Sequence, residues 1–192
     1  IYQCSKCGLI QHNLQPVSYY KKVIRAVSFS KEMTDFRLQQ LDDWLQKYSL
    51  KNKSILEVGS GKGEYLDLFK KIGLKKIYGL EFENNNIEYI LSQGNDATQG
   101  YLEDGLEYIK GQPFDAFAIF SFMEHWPNPK LGIEVLNKFL NPNAYGLIEV
   151  PNFDMIKEKG LYTEFTVDHI FYFDMLVSWE YYCYVLFLVF LF

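Results

Sequence analysis

Between residues 31 and 48 the apolar positions are Met33, Phe36, Leu38, Leu41, Trp44, Leu45 and Tyr48, separated by charged and amide side chains. Spacings of three and four dominate, and that period predicts an amphipathic helix. After Lys53 the pattern changes to short apolar runs bounded by glycine. The run 54–59 reads as a strand, followed by a helix from about Gly63 to Ile72 that Gly73 ends. "KIYGLE" reads as a second strand and "NNNIEYILSQG" as a second helix stopping at Gly94. "DATQGYL" predicts a short third strand, with a helix running through about Tyr108. "FDAFAIF" (114–120) is continuously apolar, as expected of a strand covered on both faces. "PKLGIEVLNKFL" then reads as a helix and "AYGLIEVP" as a fifth strand. This alternation predicts an α/β fold with a doubly wound, mainly parallel sheet.

Four segments follow from the same pass. Residues 1–16 form a small knuckle with a turn at Gly8, 17–50 a connecting helical segment, 51–174 the α/β domain, and 175–192 an apolar tail. The tail, "MLVSWEYYCYVLFLVFLF", is apolar or aromatic except for Ser178 and Glu180. Its length approaches a membrane span, but no Lys or Arg flanks it to set an orientation. The expectation is a truncated or altered end, or a buried terminal element, that covers a sheet edge or drives self-association. The corresponding C-terminal strands of the sheet are expected to be missing or replaced by this tail.

Composition narrows the class. The 192 residues are 48% hydrophobic and 22% charged, the balance of a globular domain with a sizeable core. The net charge is −5, and no Lys/Arg block exceeds a pair, which argues against nucleic-acid binding by phosphate neutralisation. The chain opens on Ile1 with no signal-peptide pattern. Three cysteines, two of them in "CSKC", do not build a secreted disulfide framework. A reducing cytoplasm is the expected setting.

The candidate chemistry starts at "SILEVGSGKGEYL" (54–66), where a strand ends in Gly59, Gly61 and Gly63. Such a turn lets backbone approach a ligand and aims a helix N-terminus at it. The dinucleotide fingerprint needs G-x-G-x-x-G, and here Glu64 occupies its third glycine position. With Glu57, the pattern is E-x-G-x-G-x-G. It resembles the class I S-adenosylmethionine-dependent methyltransferases, whose Rossmann-like fold the strand–helix order also matches. That cofactor carries an ammonium and a sulfonium instead of a pyrophosphate, so acidic residues beside the turn suit it. Glu81, ending the second strand, can accept hydrogen bonds from both ribose hydroxyls, and Phe82 can lie against the adenine. The resemblance places Gly100 and Tyr101, after the third strand, in the adenine pocket. The candidate cofactor residues are therefore Glu57, Gly59, Ser60, Gly61, Gly63, Tyr65, Glu81, Phe82, Gly100 and Tyr101.

The fourth strand runs into "FSFMEHWPNP", which puts Glu124 and His125 beyond the carboxyl end of a parallel strand, where ligands bind in such sheets. A histidine there can take a proton near neutral pH, and the adjoining carboxylate can orient it. This pair, "EVPN" (149–152), "DHIFYF" (168–173) and "CSKCGL" together resemble one subgroup, the sugar C-methyltransferases with an N-terminal zinc-binding unit. The resemblance covers residues 1 to about 174. It implies that Glu124 and His125 remove a proton beside a keto group, so that the enolate attacks the cofactor methyl. It also implies a zinc site, to which this chain offers Cys4 and Cys7; the other pair would lie before Ile1. His12 reads as a solvent-facing loop residue, and Cys183 has no assigned role. The expected partner is a small-molecule substrate, a nucleotide-linked keto-sugar, with neither nucleic acid nor membrane involved. O- or N-methyl transfer on the same fold and an inactive cofactor-binding fragment are the alternatives. A nicotinamide dehydrogenase fits least, because of Glu64.

Overall fold

The structure is a computed structural model that describes residues 1–6, 8–12, 15–22, 30–174 and 187–191. In chain order the elements are β1 (Tyr2–Gln3), β2 (Ile10–Gln11), α1 (Lys31–Lys47), β3 (Ile55–Val58), α2 (Glu64–Lys71), β4 (Ile77–Glu81), α3 (Asn84–Ser92), β5 (Asp96–Gln99), β6 (Phe114–Phe120), α4 (Pro129–Asn137), β7 (Leu140–Val150), α5 (Phe153–Lys159), β8 (Phe171–Tyr172) and β9 (Phe187–Leu191).

The main sheet has the order β5-β4-β3-β6-β7-β9, with every neighbouring pair parallel. Alternate strand residues enter two separate cores. Ile55, Ile77, Ala116, Ala118 and Leu147 meet Leu41, Trp44 and Leu45 of α1 and Leu66 and Phe69 of α2. Leu56, Val58, Leu80, Phe117, Ile119 and Ile148 meet Leu136 of α4 and the loops at the carboxyl edge. Both faces of the sheet are therefore covered, which is why β6 is apolar at nearly every position. The doubly wound parallel α/β expectation is borne out.

Several boundaries differ from expectation. The helix expected to run through Tyr108 is a 3-10 turn over Leu102–Asp104, ended by Gly105 in the left-handed region at φ 77°. The fifth strand starts earlier than its apolar run, at Leu140. In the tail, β9 stands as an edge strand parallel to β7, the replacement of a missing strand by the tail that was one of the two expectations; the rest of the tail, Cys183 included, lies outside the described residues. Among the described residues no helix is long and apolar enough to cross a membrane.

Helix α1 begins at Ser30, whose hydroxyl accepts from the Met33 amide, a side-chain N-cap. Its buried stripe is not the one expected. Met33 and Phe36 are 41% and 50% exposed, while Arg37 is buried. Arg37 shares a face with Leu41 and Trp44, and its guanidinium grips the Glu149 carboxylate through two hydrogen bonds of 2.5 and 2.9 Å. Glu149 in turn accepts from Ser121 at the tip of β6, at 3.4 Å. Helix α1 is thereby tied to the carboxyl edge of the sheet. Arg37→Lys keeps the charge but loses the fork, and is expected to lower stability by about 1.5–3 kcal/mol in urea unfolding.

The N-terminal hairpin joins a second sheet, β1-β2-β8, all antiparallel. The expected knuckle is this hairpin: the Cys4 amide donates to the Leu9 carbonyl and the Gly8 amide to the Cys4 carbonyl.

Candidate active site

The candidate residues lie on loops at the carboxyl edge of β3, β4, β5 and β6. Gly59 is required there by close packing: a Cβ on it would stand 2.4 Å from Cδ1 of Phe122, which follows β6. Gly61 has φ +56°, and beside it the space is open, with only Glu64 Oε2 3.5 Å from an added Cβ. Glu81 reaches across this turn. Its Oε2 accepts from the Gly61 amide at 2.8 Å, and its Oε1 from the Glu83 amide at 2.9 Å and Asn86 Nδ2 at 3.3 Å. The carboxylate is thus held against the glycine turn by backbone donors.

Gly59, Glu81, Phe82, Gly100 and Tyr101 line one cleft, completed by Lys21, Phe122 and Trp126. The rings form an edge-to-face series, with centroids 6.4 Å apart for Phe82–Tyr101, 6.3 Å for Tyr101–Phe122 and 5.9 Å for Phe122–Trp126. An acidic end and an aromatic wall suit a ribose joined to a flat heterocycle. Burial pushes the Tyr101 hydroxyl up, so it stays protonated. Across the mouth lies Lys21, whose ammonium sits 5.1 Å from the Tyr101 centroid and 5.3 Å from that of Phe82. It is anchored 2.6 Å from Asp104, a hydrogen bond that raises its pKa. Nothing in the apolar pattern singles out Lys21, because its partners are far away in sequence.

The other cofactor candidates are placed differently. Glu57 is fully buried in β3, and strand alternation sends it to the face opposite Val58, away from the cleft lining. Ser60 is buried against Gly79, where an added Cβ would meet its Oγ at 2.6 Å. Gly63 has φ +86° and caps the start of α2. Tyr65 belongs to the core: it is 3% exposed and stacks on Phe120 at 3.8 Å.

Glu124 and His125 sit on a 3-10 turn, Met123–His125, flanked by the cleft residues Phe122 and Trp126. They are 1% and 3% exposed. The His125 Nδ1 lies 2.9 Å from the Asp168 carbonyl, which can only accept. That contact fixes the tautomer with the proton on Nδ1 and leaves the lone pair on Nε2. Nε2 lies 3.8 Å from Glu124 Oε1. Burial pushes the His125 pKa down to about 4, opposed by the Asp168 hydrogen bond. His169 packs edge-on against the His125 ring, centroids 4.8 Å apart. His12 corrects the solvent-facing expectation. Its amide donates to the Ile170 carbonyl, and both ring nitrogens are buried without a hydrogen-bond partner. Pairing of β2 with β8 causes this, a contact with no local sequence signal.

Zinc in the hairpin is a separate matter. Cys4 is half-buried against the core beside the hairpin turn, and Cys7 lies outside the described residues. A structural zinc takes four protein ligands, so two cysteines do not complete a site.

A glycine turn, an acidic strand end and an aromatic cleft at the edge of a parallel sheet define a Rossmann-like domain of the methyltransferase type. The chain belongs to the methyltransferase-domain family, whose model matches residues 33–183. It is 26% identical, over a 145-residue alignment, to the mitochondrial ubiquinone biosynthesis O-methyltransferase of Dictyostelium discoideum, covering 62% of this chain and 45% of that protein. The chain thus spans under half the length of that relative. Two solved structures share the fold. The plantazolicin methyltransferase BpumL, in complex with SAH, has TM-score 0.56 and 19% identity, covering 85% of this chain and 61% of that one. SAM-bound CalS10, an amino pentose methyltransferase from Micromonospora echinaspora, has TM-score 0.50 and 16% identity, covering 67% and 59%.

Proposed function

We propose that the domain transfers the methyl group of S-adenosylmethionine to a carbon beside the keto group of a small polar acceptor, a nucleotide-linked sugar. The observation that carries this reading is the His125 tautomer. A buried ring whose Nδ1 proton is committed to the Asp168 carbonyl presents Nε2 as an acceptor, on the same turn as two cleft residues. The low proton affinity of the buried ring is offset when an enolate forms beside a sulfonium, since opposite charges attract strongly in a site shielded from water.

The bound cofactor supplies an electrophilic methyl. Glu81 would hold the ribose, and Phe82 and Tyr101 the adenine. The sugar assignment draws on the likeness to CalS10, an amino pentose methyltransferase, and on the subgroup motifs. Transfer to a hydroxyl is the second reading, favoured by the name of the Dictyostelium relative. A cytoplasmic setting belongs to the same proposal.

Calorimetry tests the cofactor: S-adenosylhomocysteine is expected to bind and NAD is not. Binding of NAD alone would defeat the reading. Glu81→Ala is expected to weaken S-adenosylhomocysteine binding by about 1–3 kcal/mol, the range for a lost hydrogen bond to a charged group. Unchanged affinity would remove Glu81 from the site.

A further inference from the structure

The segment 168–170 docks on the catalytic turn at two points. The Asp168 carbonyl meets His125 Nδ1 at 2.9 Å, and the Ile170 amide donates to the Glu124 carbonyl at 2.9 Å. Docking brings His169 onto the pair. One ligand atom from each of Glu124, His125 and His169 lies within 4.8 Å of the others. His169 Nδ1 is shut off from solvent and makes no hydrogen bond.

We propose that Glu124, His125 and His169 bind a divalent first-row transition ion, zinc by preference, and that the bound ion excludes proton transfer through His125. The second half rests on the base assigned above; the first does not.

Two imidazoles and one carboxylate suit zinc and its neighbours and disfavour magnesium and calcium, which take oxygen ligands. The spacing is close to what an ion needs. Atoms bonded at about 2.1 Å to a tetrahedral ion stand about 3.4 Å apart. The His125 Nε2–Glu124 Oε1 separation of 3.8 Å is too long for a hydrogen bond, and closing it takes about 0.4 Å by the same tetrahedral geometry. His169, half-buried, has the largest movement to make. The outer shell is also in place, since a metal-bound histidine usually donates its other ring N–H to a carbonyl or carboxylate. Here the Asp168 carbonyl fills that role. Three protein ligands leave one position open. Because His125 Nε2 has a single lone pair, it holds either the ion or a proton.

The test uses the untagged full chain with Cys4, Cys7 and Cys183 changed to serine, so that no thiolate competes. Titration with Co²⁺ is expected to give visible bands of a tetrahedral nitrogen–oxygen site at one ion per chain, displaced by Zn²⁺. His169→Asn is expected to weaken Co²⁺ binding by about 100-fold or more, since even an outer-shell loss costs 10–100-fold. No Co²⁺ spectrum, or equal affinity in a folded His169→Asn chain, overturns the site. Zn²⁺ is further expected to suppress His125-dependent proton exchange in the acceptor while leaving S-adenosylhomocysteine affinity unchanged. Faster methyl transfer with Zn²⁺ overturns the exclusion. Loss of S-adenosylhomocysteine binding without metal would instead strike the methyltransferase reading, and Co²⁺ binding would stand apart from it.

Discussion

Gly61→Val is expected to abolish S-adenosylhomocysteine binding while leaving the domain folded. The residue has φ +56°, where a β-branched side chain is strongly disfavoured. The left-handed conformation costs about 1–2 kcal/mol, a loss that a domain of this size ordinarily survives. The steric term falls on the ligand. An added Cβ would meet only Glu64 Oε2, at 3.5 Å, an ordinary van der Waals contact. It would fill the space beside the amide that donates to Glu81, where the cofactor is proposed to lie. Calorimetry with a parallel thermal melt separates the two effects. A folded variant with wild-type affinity would move the cofactor away from the turn.

His125→Ala is expected to keep cofactor affinity and to reduce turnover by about 10²–10⁴-fold, the usual contribution of a positioned acid or base. Glu81, Phe82 and Tyr101, proposed to hold the cofactor, come from other loops, so the loss should fall on kcat. Glu124→Gln should cost less, because an amide can still orient the ring without supplying the charge. Deuterium exchange isolates the proton step. The enzyme with a cationic cofactor analogue that has no transferable methyl should wash deuterium into the carbon beside the keto group, and the His125 variant should not. Equal exchange in both would place the base elsewhere. Absence of exchange in wild type, with transfer intact, would favour a hydroxyl acceptor.

The parts legible in the sequence are those written locally. A strand that runs into glycines and opens a helix declares itself over a dozen residues, and Glu81 follows from where the next strand must end. The parallel sheet and the placing of Glu124 and His125 at its carboxyl edge follow from the alternation of strands and helices. What escaped depends on distant contacts. Arg37 lies on the buried stripe of α1, and its pairing with the distant Glu149 helps make burial of a guanidinium tolerable. Lys21 over the cleft, His12 beneath the hairpin and His169 against His125 are brought in by segments far apart in the chain. Tyr65 shows the opposite failure: it lies next to the glycine turn in sequence, but the helical period points it into the core.

The small sheet has a bearing on how the protein matures on the ribosome. Ile10 pairs with Tyr172, so the hairpin waits for a segment synthesised much later than itself. The glycine turn, Glu81 and the cleft rings all emerge earlier and can assemble without it. The carbonyl that sets the His125 tautomer comes from Asp168, just before β8. A nascent chain can therefore form the proposed cofactor cradle before its histidine is oriented. Closing so long a loop is a late event, so reactivity at the proposed base waits on the pairing of β2 with β8.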